Sequence, residues 1–446
     1  MTSSGGVAPR RGGHGLDAAE RRSLVLGVVI RAVGTPAVGL LGLLNTALVI
    51  HHTDARTFGV VSTVAAVALL FPFADLGVGA AVTTASAQWT DGAITRAHYL
   101  RVLRRAGSVL ASVTVGIWTL ATAAWAFDGW GLLFGDSISR SESTPLSIAL
   151  AVFGLAVPLS AGLRLLTGLG RNHIAVGVSL SAAAFTVMAT ALLVGVDAHG
   201  LLYAVPPVIG LALSGFVALV VAAHIVRQTG TAAADGGRPV LPERLLAGSA
   251  SMFVISIGLP VGLQWGRLVV AHSGDAADLA SYGLAAQLYG MGWMVISTAG
   301  TAMWPIFVRR RVDPRRTLRL WRASLLWFST TGAAIGVVFT LAAPWVATIV
   351  SGGEVTIPTG LATAYGLLLL VQSVHLPTGS LLTTPSELRW QAWCVVAMAI
   401  VSMGSAVVSV PMFGATGAVL GSVAGVVIGQ LVPDLTSART KVAARK

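Results

Sequence analysis

The first candidates for chemistry are three charged residues that lie inside long apolar segments. Arg31 lies in the first such segment, Asp75 lies in the second within Phe73-Ala-Asp75-Leu-Gly77, and Arg267 lies in the seventh. A charge in the hydrocarbon layer of a membrane costs at least ~2.5 kcal/mol unless it meets a partner or water. These residues therefore predict either internal ion pairs or a hydrated binding site.

Arg31 and Asp75 belong to neighbouring segments that are expected to run antiparallel, which makes Asp75 the expected partner of Arg31. One interpretation is a structural ion pair that fixes the packing of the two helices. The other is a phosphate or cation site whose partners exchange during transport. The residues alone favour neither interpretation.

Arg267 lies near the outer end of the seventh segment, with Gln264 three residues before it on the same helical face. Its side chain could simply extend to the outer headgroups. Alternatively, Arg31 and Arg267 line one cavity and bind an anionic phosphate, because the planar guanidinium group matches phosphate oxygens. Both interpretations of Arg267 stay open.

Uncharged and titratable polar side chains also occur at helical spacing in apolar segments. Tyr365, Gln372 and His375 follow one another at seven and three residues, which places them on one helix face. His375 could carry a proton or could be a hydrogen-bonded packing residue. Asn45 and Gln287 could join helices or line a cavity as ligands of a substrate.

Sequence motifs for enzyme chemistry are absent. The chain contains no Walker A phosphate loop, no metal-ligand spacing and no GxSxG elbow. Its single cysteine, Cys394, lies in an apolar segment and has no partner for an internal disulfide. We therefore expect a protein that is not an enzyme and that holds no metal or cofactor.

The composition predicts an all-α polytopic membrane protein. The chain is 55% hydrophobic and 10% charged over 446 residues, whereas soluble domains are about 25% charged. One crossing needs about 20 apolar residues, which predicts about twelve transmembrane helices in this chain. The expected spans lie near 24–49, 57–87, 107–127, 146–167, 172–196, 201–226, 247–271, 279–305, 323–350, 358–381, 391–410 and 414–432.

The basic residues predict the orientation in the membrane. The net charge of +12 comes from short basic runs in alternate loops and in the C-terminal tail, which is typical of cytoplasmic loops. No basic soluble domain is present to bind nucleic acid. We expect a multi-pass protein of the cytoplasmic membrane with both termini in the cytoplasm.

A polar stretch near the middle of the chain predicts two halves. A weak internal repeat supports this division: Gly34-Thr-Pro36 leads to Thr57-Phe-Gly59, and Gly258-Leu-Pro260 leads to Ser281-Tyr-Gly283. Two lobes of six helices, related by a pseudo-two-fold axis along the membrane normal, would place a binding site at their interface. The expected boundaries are 1–23 for a cytoplasmic tail, 24–226 for the first lobe, 227–246 for a cytoplasmic linker, 247–432 for the second lobe and 433–446 for a basic tail.

Motifs in the first half resemble a known family. Thr57-Phe-Gly59, Phe73-Ala-Asp75-Leu-Gly77-Val-Gly79 and Leu166-Thr-Gly168-Leu-Gly170-Arg171-Asn172 are similar to polysaccharide biosynthesis flippases of the O-antigen (Wzx) type. These flippases belong to a superfamily that also contains the multidrug and toxin extruders and the lipid II flippase. The resemblance at the level of motifs covers mainly residues 30–175.

The resemblance implies two six-helix lobes around a cavity that moves the glycan and pyrophosphate head of a polyprenyl-linked lipid by alternating access. It implies a charge role for Asp75 and cavity-lining roles for Arg31 and Arg267. The expected partners are a polyprenyl-(pyro)phosphate-linked glycan, membrane lipids, and a glycan polymerase or glycosyltransferases, with the chain itself a monomer and no nucleic acid bound. A small-molecule exporter of the same superfamily is the alternative, followed by a membrane polysaccharide polymerase.

Overall fold

The computed structural model describes residues 18–67, 75, 77–134, 138–228, 245–309 and 313–443. The elements of the first half are α1 Ala18–His51, α2 Ala55–Val67, α3 Val78–Thr90, α4 Arg96–Ala126, α5 Gly129–Phe134, α6 Arg140–Leu159, α7 Ala161–Gly168, α8 Asn172–Gly195, a 3₁₀ turn Gly200–Ala204 and α9 Pro206–Gln228. Those of the second half are α10 Leu245–Ser273, α11 Ala276–Arg309, α12 Pro314–Ser351, α13 Thr359–Leu381, α14 Pro385–Gly425, a π-helical segment Val426–Leu431 and α15 Val432–Ala443.

The protein is an all-α, multi-pass membrane protein. Within the described ranges, 8 helical stretches are long and apolar enough to cross a membrane by length and composition. The remaining crossings are made by α1, by α2 with α3 and by α11, and α14 reverses direction to make two. The result is the predicted architecture of 12 helices in two lobes. The expected tail 1–23 falls largely, and the linker 227–246 mainly, outside the described residues, and the domain boundaries stay predictions.

The second predicted span, 57–87, is not one continuous helix. The structure describes two helices there, α2 and α3, and Gly77 immediately before α3 has φ +82°. A left-handed residue cannot continue a right-handed helix, and glycine adopts this conformation without a steric penalty. The Asp-Leu-Gly pattern therefore marks an interruption of the crossing.

Four glycines at intervals of four residues hold the last two crossings together. The chain reverses at Gly414, where φ is +54°, and the second half of α14 then packs antiparallel to the first. Gly417, Gly421 and Gly425 continue as a stripe to Gly429 in the π-helical segment, and this stripe faces the backbone of residues 398–410. A Cβ atom on Gly425 would lie 2.7 Å from the Met398 carbonyl oxygen. Small residues thus permit backbone contact in the membrane.

The two lobes meet at positions that the internal repeat relates. Gly59 of α2 packs against Leu279 of α11, and the equivalent Gly283 of α11 packs against Ser62 of α2. These two equivalent glycines therefore each contact the helix of the other lobe. The face of the protein that carries the loops 52–54 and 274–275, at which this contact lies, is called the closed face below. The opposite face, which carries Arg96 and the end of α11, is called the arginine-rich face.

Gly425 and Gly404 lie in the same helix and provide a matched pair of substitutions. Gly425→Ala places a methyl group against the Met398 backbone, and we expect it to lower the free energy of unfolding by about 1–3 kcal/mol, the usual cost of overpacking. Gly404→Ala meets open space and should gain about 0.5–1 kcal/mol of helix propensity. Thermal unfolding in one detergent measures the difference, and equal melting temperatures for the two variants would contradict the close approach.

Candidate functional site

A cavity of about 760 Å³ lies between the two lobes. Its walls come from α1, α2, α8 and α9 of the first lobe and from α10, α11, α13 and α14 of the second. Most lining residues are apolar or small. The polar and aromatic ones are Asn45, Thr46, Phe58, Ser62, Thr186, Gln264, Arg267, Tyr282, Gln287, Tyr289, Trp293, Ser297, Tyr365 and Ser422.

The lobes contact each other between the cavity and the closed face. Besides the glycine contacts of α2 and α11, His51 at the end of α1 approaches Gly352 at the end of α12. At mid-depth, Gly39 and Gly42 of α1 approach Met291 and Gln287 of α11. The cavity therefore lies between this contact zone and the arginine-rich face.

Arg267 is buried at the junction of the lobes, with only 6% of its surface exposed. Its guanidinium group donates a hydrogen bond to the Ser62 carbonyl oxygen of the other lobe, and its Cζ atom lies 5.3 Å from the centroid of the Tyr282 ring. A ring face attracts a cation electrostatically. The alternative in which Arg267 extends to the headgroups is thus wrong, because its side chain is enclosed.

The charge of Arg267 has no carboxylate neighbour in the cavity. None of the described lining residues is Asp or Glu, and no described ion pair involves this arginine. Its Nε atom is buried without a hydrogen-bond partner among the described atoms. A buried cation that is only partly satisfied attracts an anion, because low dielectric strengthens the interaction.

The other predicted substrate ligands with described side chains also line the cavity. Gln264 lies one turn before Arg267 on α10, and Gln287 lies opposite Gly42 of the first lobe. Asn45 accepts a hydrogen bond of 2.6 Å from Thr190 of α8, which fixes its carbonyl oxygen within the first lobe. The placement brings residues from both halves of the sequence to one cavity, and their role as ligands stays a prediction.

Asp75 is bound to an arginine that the sequence analysis missed. Its Oδ2 atom lies 3.2 Å from Arg164 Nε of α7, and its Oδ1 atom accepts a hydrogen bond of 3.0 Å from the Gly77 backbone N–H. Asp75 does not line the cavity, which favours the structural interpretation. The signal for Arg164 was available, since it too is a charge inside an apolar segment. The side chain of Arg31 lies outside the described residues, and the Arg31–Asp75 pair stays a prediction.

Gln372 and His375 do not line the cavity. Gln372 accepts a hydrogen bond from the Tyr289 hydroxyl, and Tyr289 stands with Tyr365 in an aromatic cluster at the cavity wall, their ring centroids 5.1 Å apart. His375 points away from this cluster and lies 2.9 Å from Asp434 of α15. The residues predicted to share one face of α13 therefore contact two different helices, with Gln372 bound to α11 and His375 bound to α15.

Solved membrane transporters resemble this structure over nearly its whole length. The lipid II flippase MurJ in an inward closed conformation matches with a TM-score of 0.67 and 12% identity over 93% of this chain and 90% of that chain. An inward-facing multidrug resistance MATE family transporter of the MOP superfamily matches with a TM-score of 0.59 and 16% identity over 93% of this chain and 98% of that chain. An outward-facing MATE transporter matches with a TM-score of 0.57 and 14% identity over 96% of each chain.

These matches show that the chain has the fold of MOP-superfamily transporters. No family model and no curated protein matches the sequence. The fold thus agrees with the one that the motifs implied, and the more specific resemblance to O-antigen flippases stays a prediction.

Two carboxylates at different depths of burial test the structural interpretation of Asp75. Asp75→Asn should destabilise the protein by about 1–2 kcal/mol, because it removes the charge of a carboxylate that is only 8% exposed and that is bound by Arg164 and the Gly77 N–H. Glu142→Gln is the control, since its pair with Arg56 is 30–37% exposed and should contribute less than about 1 kcal/mol. The melting temperatures of the two variants measure the difference. A larger decrease in melting temperature for Glu142→Gln than for Asp75→Asn would reject the structural interpretation of Asp75.

Proposed function

We propose that this chain, which has the fold of the MOP-superfamily transporters, moves a lipid-linked saccharide precursor with an acidic headgroup across the cytoplasmic membrane by alternating access. The observation that carries the proposal is the buried, partly satisfied Arg267 in a cavity whose described lining has no carboxylate. A phosphate or pyrophosphate linkage supplies the missing anion. The name of one structural neighbour, a lipid II flippase, supports a lipid-linked substrate.

The size and polarity of the cavity suit the headgroup of such a lipid. A volume of about 760 Å³ lies within the usual range for sites that bury a small organic ligand, roughly 300–1,000 Å³. Gln264 and Gln287 offer amides to sugar hydroxyls, and Arg267 offers a fork of donors to phosphate. The polyprenyl chain would stay in the surrounding lipid.

Arg267 also links substrate binding to the contact between the lobes. In this conformation its guanidinium group is bound to the Ser62 carbonyl oxygen across the junction. An acidic headgroup competes for the same donors, and the charged hydrogen bond that it forms is stronger than one to a neutral carbonyl. Binding would therefore weaken the closed face and favour the opposite conformation, as alternating access requires.

The distribution of arginines suggests which way the cavity faces. Arg96 begins α4 and Arg309 ends α11 on the arginine-rich face, and the C-terminal tail with its basic residues follows α15. Lys and Arg are retained in cytoplasmic loops. We infer that this conformation offers its cavity to the cytoplasm and that the contact of α2 with α11 closes the outer side.

Export of small apolar molecules is the second candidate function. Met291, Trp293 and Met294 line the cavity, and flexible or aromatic side chains of this kind accept varied apolar ligands. Two of the structural neighbours are multidrug resistance transporters of the MATE family. A cationic drug, however, would meet Arg267 with no described lining carboxylate to offset it.

Substitution of Arg267 tests the proposal directly. Arg267→Gln should weaken binding of a polyprenyl diphosphate-linked disaccharide about tenfold to a hundredfold, since a hydrogen bond to a charged group contributes roughly 1.5–3 kcal/mol. Native mass spectrometry of the purified protein in nanodiscs measures the bound lipid. Arg56→Gln is the matched control, because Arg56 pairs with Glu142 and is not part of the cavity wall.

Two further probes separate the alternatives. Polyprenol without phosphate should bind weakly to the wild-type protein and equally weakly to Arg267→Gln. Ethidium should compete poorly with the diphosphate-linked lipid. Equal binding of the phosphorylated lipid by both proteins would overturn the anion-binding proposal, and preferred binding of ethidium would favour the exporter.

A reversible cross-link at the closed face tests alternating access. A Cβ atom on Gly59 would lie 3.0 Å from the Leu279 Cβ atom, close to the ~3.8 Å of a disulfide. In a Cys394→Ala background, oxidation of Gly59→Cys with Leu279→Cys should stop translocation of a fluorescent lipid-linked saccharide in proteoliposomes, and a reductant should restore it. Each single cysteine variant is the control. Continued translocation by the cross-linked protein would exclude opening at this contact.

A further inference from the structure

A second buried charge cluster lies in the second lobe, away from the cavity. Asp434, in the first turn of α15, is only 1% exposed. Its Oδ2 atom lies 2.9 Å from His375 Nε2, and its Oδ1 atom accepts a hydrogen bond of 2.9 Å from Trp390 Nε1. The Cys394 thiol lies 3.6 Å from the same Oδ1 atom. Side chains of α13 and α14 thus enclose a carboxylate of the last helix.

The proton balance of this cluster depends on His375. A carboxylate buried to this extent needs strong donors, because its desolvation is costly. The indole N–H of Trp390 is a donor that cannot change its charge. The imidazole can donate from Nε2 either as a neutral tautomer or as a cation, and histidine changes charge between about pH 5 and 8. Protonation of His375 therefore converts a net negative cluster into a neutral ion pair.

The two members of the pair differ in exposure. The side chain of His375 is 16% exposed, whereas that of Asp434 is 1% exposed. The histidine is therefore the exposed member of the pair, and the aspartate is its enclosed counterion. The π-helical segment Val426–Leu431 ends three residues before Asp434, and such segments often mark functional positions in helices.

Among the described residues, no carboxylate other than that of Asp434 forms an ion pair with His375. Lys441 of α15 lies over the Trp390 ring, 4.2 Å from its centroid. Glu387 of α14 is held in the cap of its own helix by Thr384. The described portions of α11 and α12 near the pair present apolar residues to α15. The remaining cations of the packed helices are exposed: Arg315, Arg316, Arg319, Arg322, Arg389 and Arg439.

We propose that His375 and Asp434 form a proton-binding site of the second lobe, and that its occupancy controls how firmly α15 is docked. Ala438 and Val442 attach α15 to Phe307, Trp321 and Leu381 by apolar contact alone. The His375–Asp434 bond adds the only described ion pair between α15 and the rest of the protein. Protonation of His375 adds the Coulomb attraction of an imidazolium–carboxylate ion pair to the hydrogen bond that the neutral imidazole already donates. Lowering the pH therefore tightens the docking, and raising it loosens the helix.

Trp390 supplies a reporter of the site that does not depend on transport. In protein labelled with ¹⁵N-tryptophan, the Trp390 indole resonance, assigned by its loss in Trp390→Phe, should shift with pH between 5.5 and 8.5 as the charge near Asp434 changes. His375→Gln keeps a donor toward Asp434 but cannot titrate, and it should remove the shift. His224→Gln is the control, since His224 bonds Gln228 in the other lobe.

Hydrogen exchange of α15 tests the docking. After correction for the intrinsic effect of pH, amides of residues 434–443 should exchange about fivefold more slowly at pH 5.5 than at pH 8.5 in wild type. The ratio should fall to one in His375→Gln and in Asp434→Asn. The proposed proton-binding site would be overturned if the chemical shift of the Trp390 indole did not change with pH, or if it still changed with pH in His375→Gln. An exchange ratio of one in wild type would overturn its control of the last helix.

Discussion

A charged side chain held in the hydrocarbon layer must find its partners inside the protein, because no water is there to solvate it. In the described structure, three buried charged residues find different kinds of partner. Asp75 is paired with Arg164 and accepts a hydrogen bond from a backbone N–H, so that its charge is compensated within the first lobe. Asp434 has three donors, which are His375, Trp390 and Cys394. Arg267 has only a carbonyl oxygen and an aromatic face, so that its charge remains available to a ligand.

The same constraint explains the use of glycine. Helices in lipid gain little from hydrophobic exclusion and associate through close contact instead. The stripe from Gly417 to Gly429 creates a rigid contact within the second lobe, where backbone meets backbone over several turns. The contact of Gly59 and Gly283 between the lobes is much shorter. A short contact of this kind suits a junction that must separate, and a long one suits a lobe that moves as a unit.

The crossings could be read from the sequence because each is set by local composition. Runs of about 20 apolar residues predicted spans that agree with the described helices. The basic runs predicted which loops lie on the cytoplasmic side of the membrane. The interruption at Gly77 was missed, because the apolar run continues across it and only the backbone conformation marks the break. The reversal at Gly414 coincides with the first residue of the last predicted span, 414–432.

The sequence by itself determined that Arg31, Asp75 and Arg267 need partners, since a charge in an apolar run is evident from the residues alone. Only the tertiary structure decided which partners Asp75 and Arg267 have. Arg164 lies 89 positions from Asp75, and Asp434 lies 59 positions from His375, and no periodicity of a single helix relates such pairs. Their meeting depends on how whole helices pack, which is fixed by contacts distributed along the chain and therefore cannot be read from any one segment.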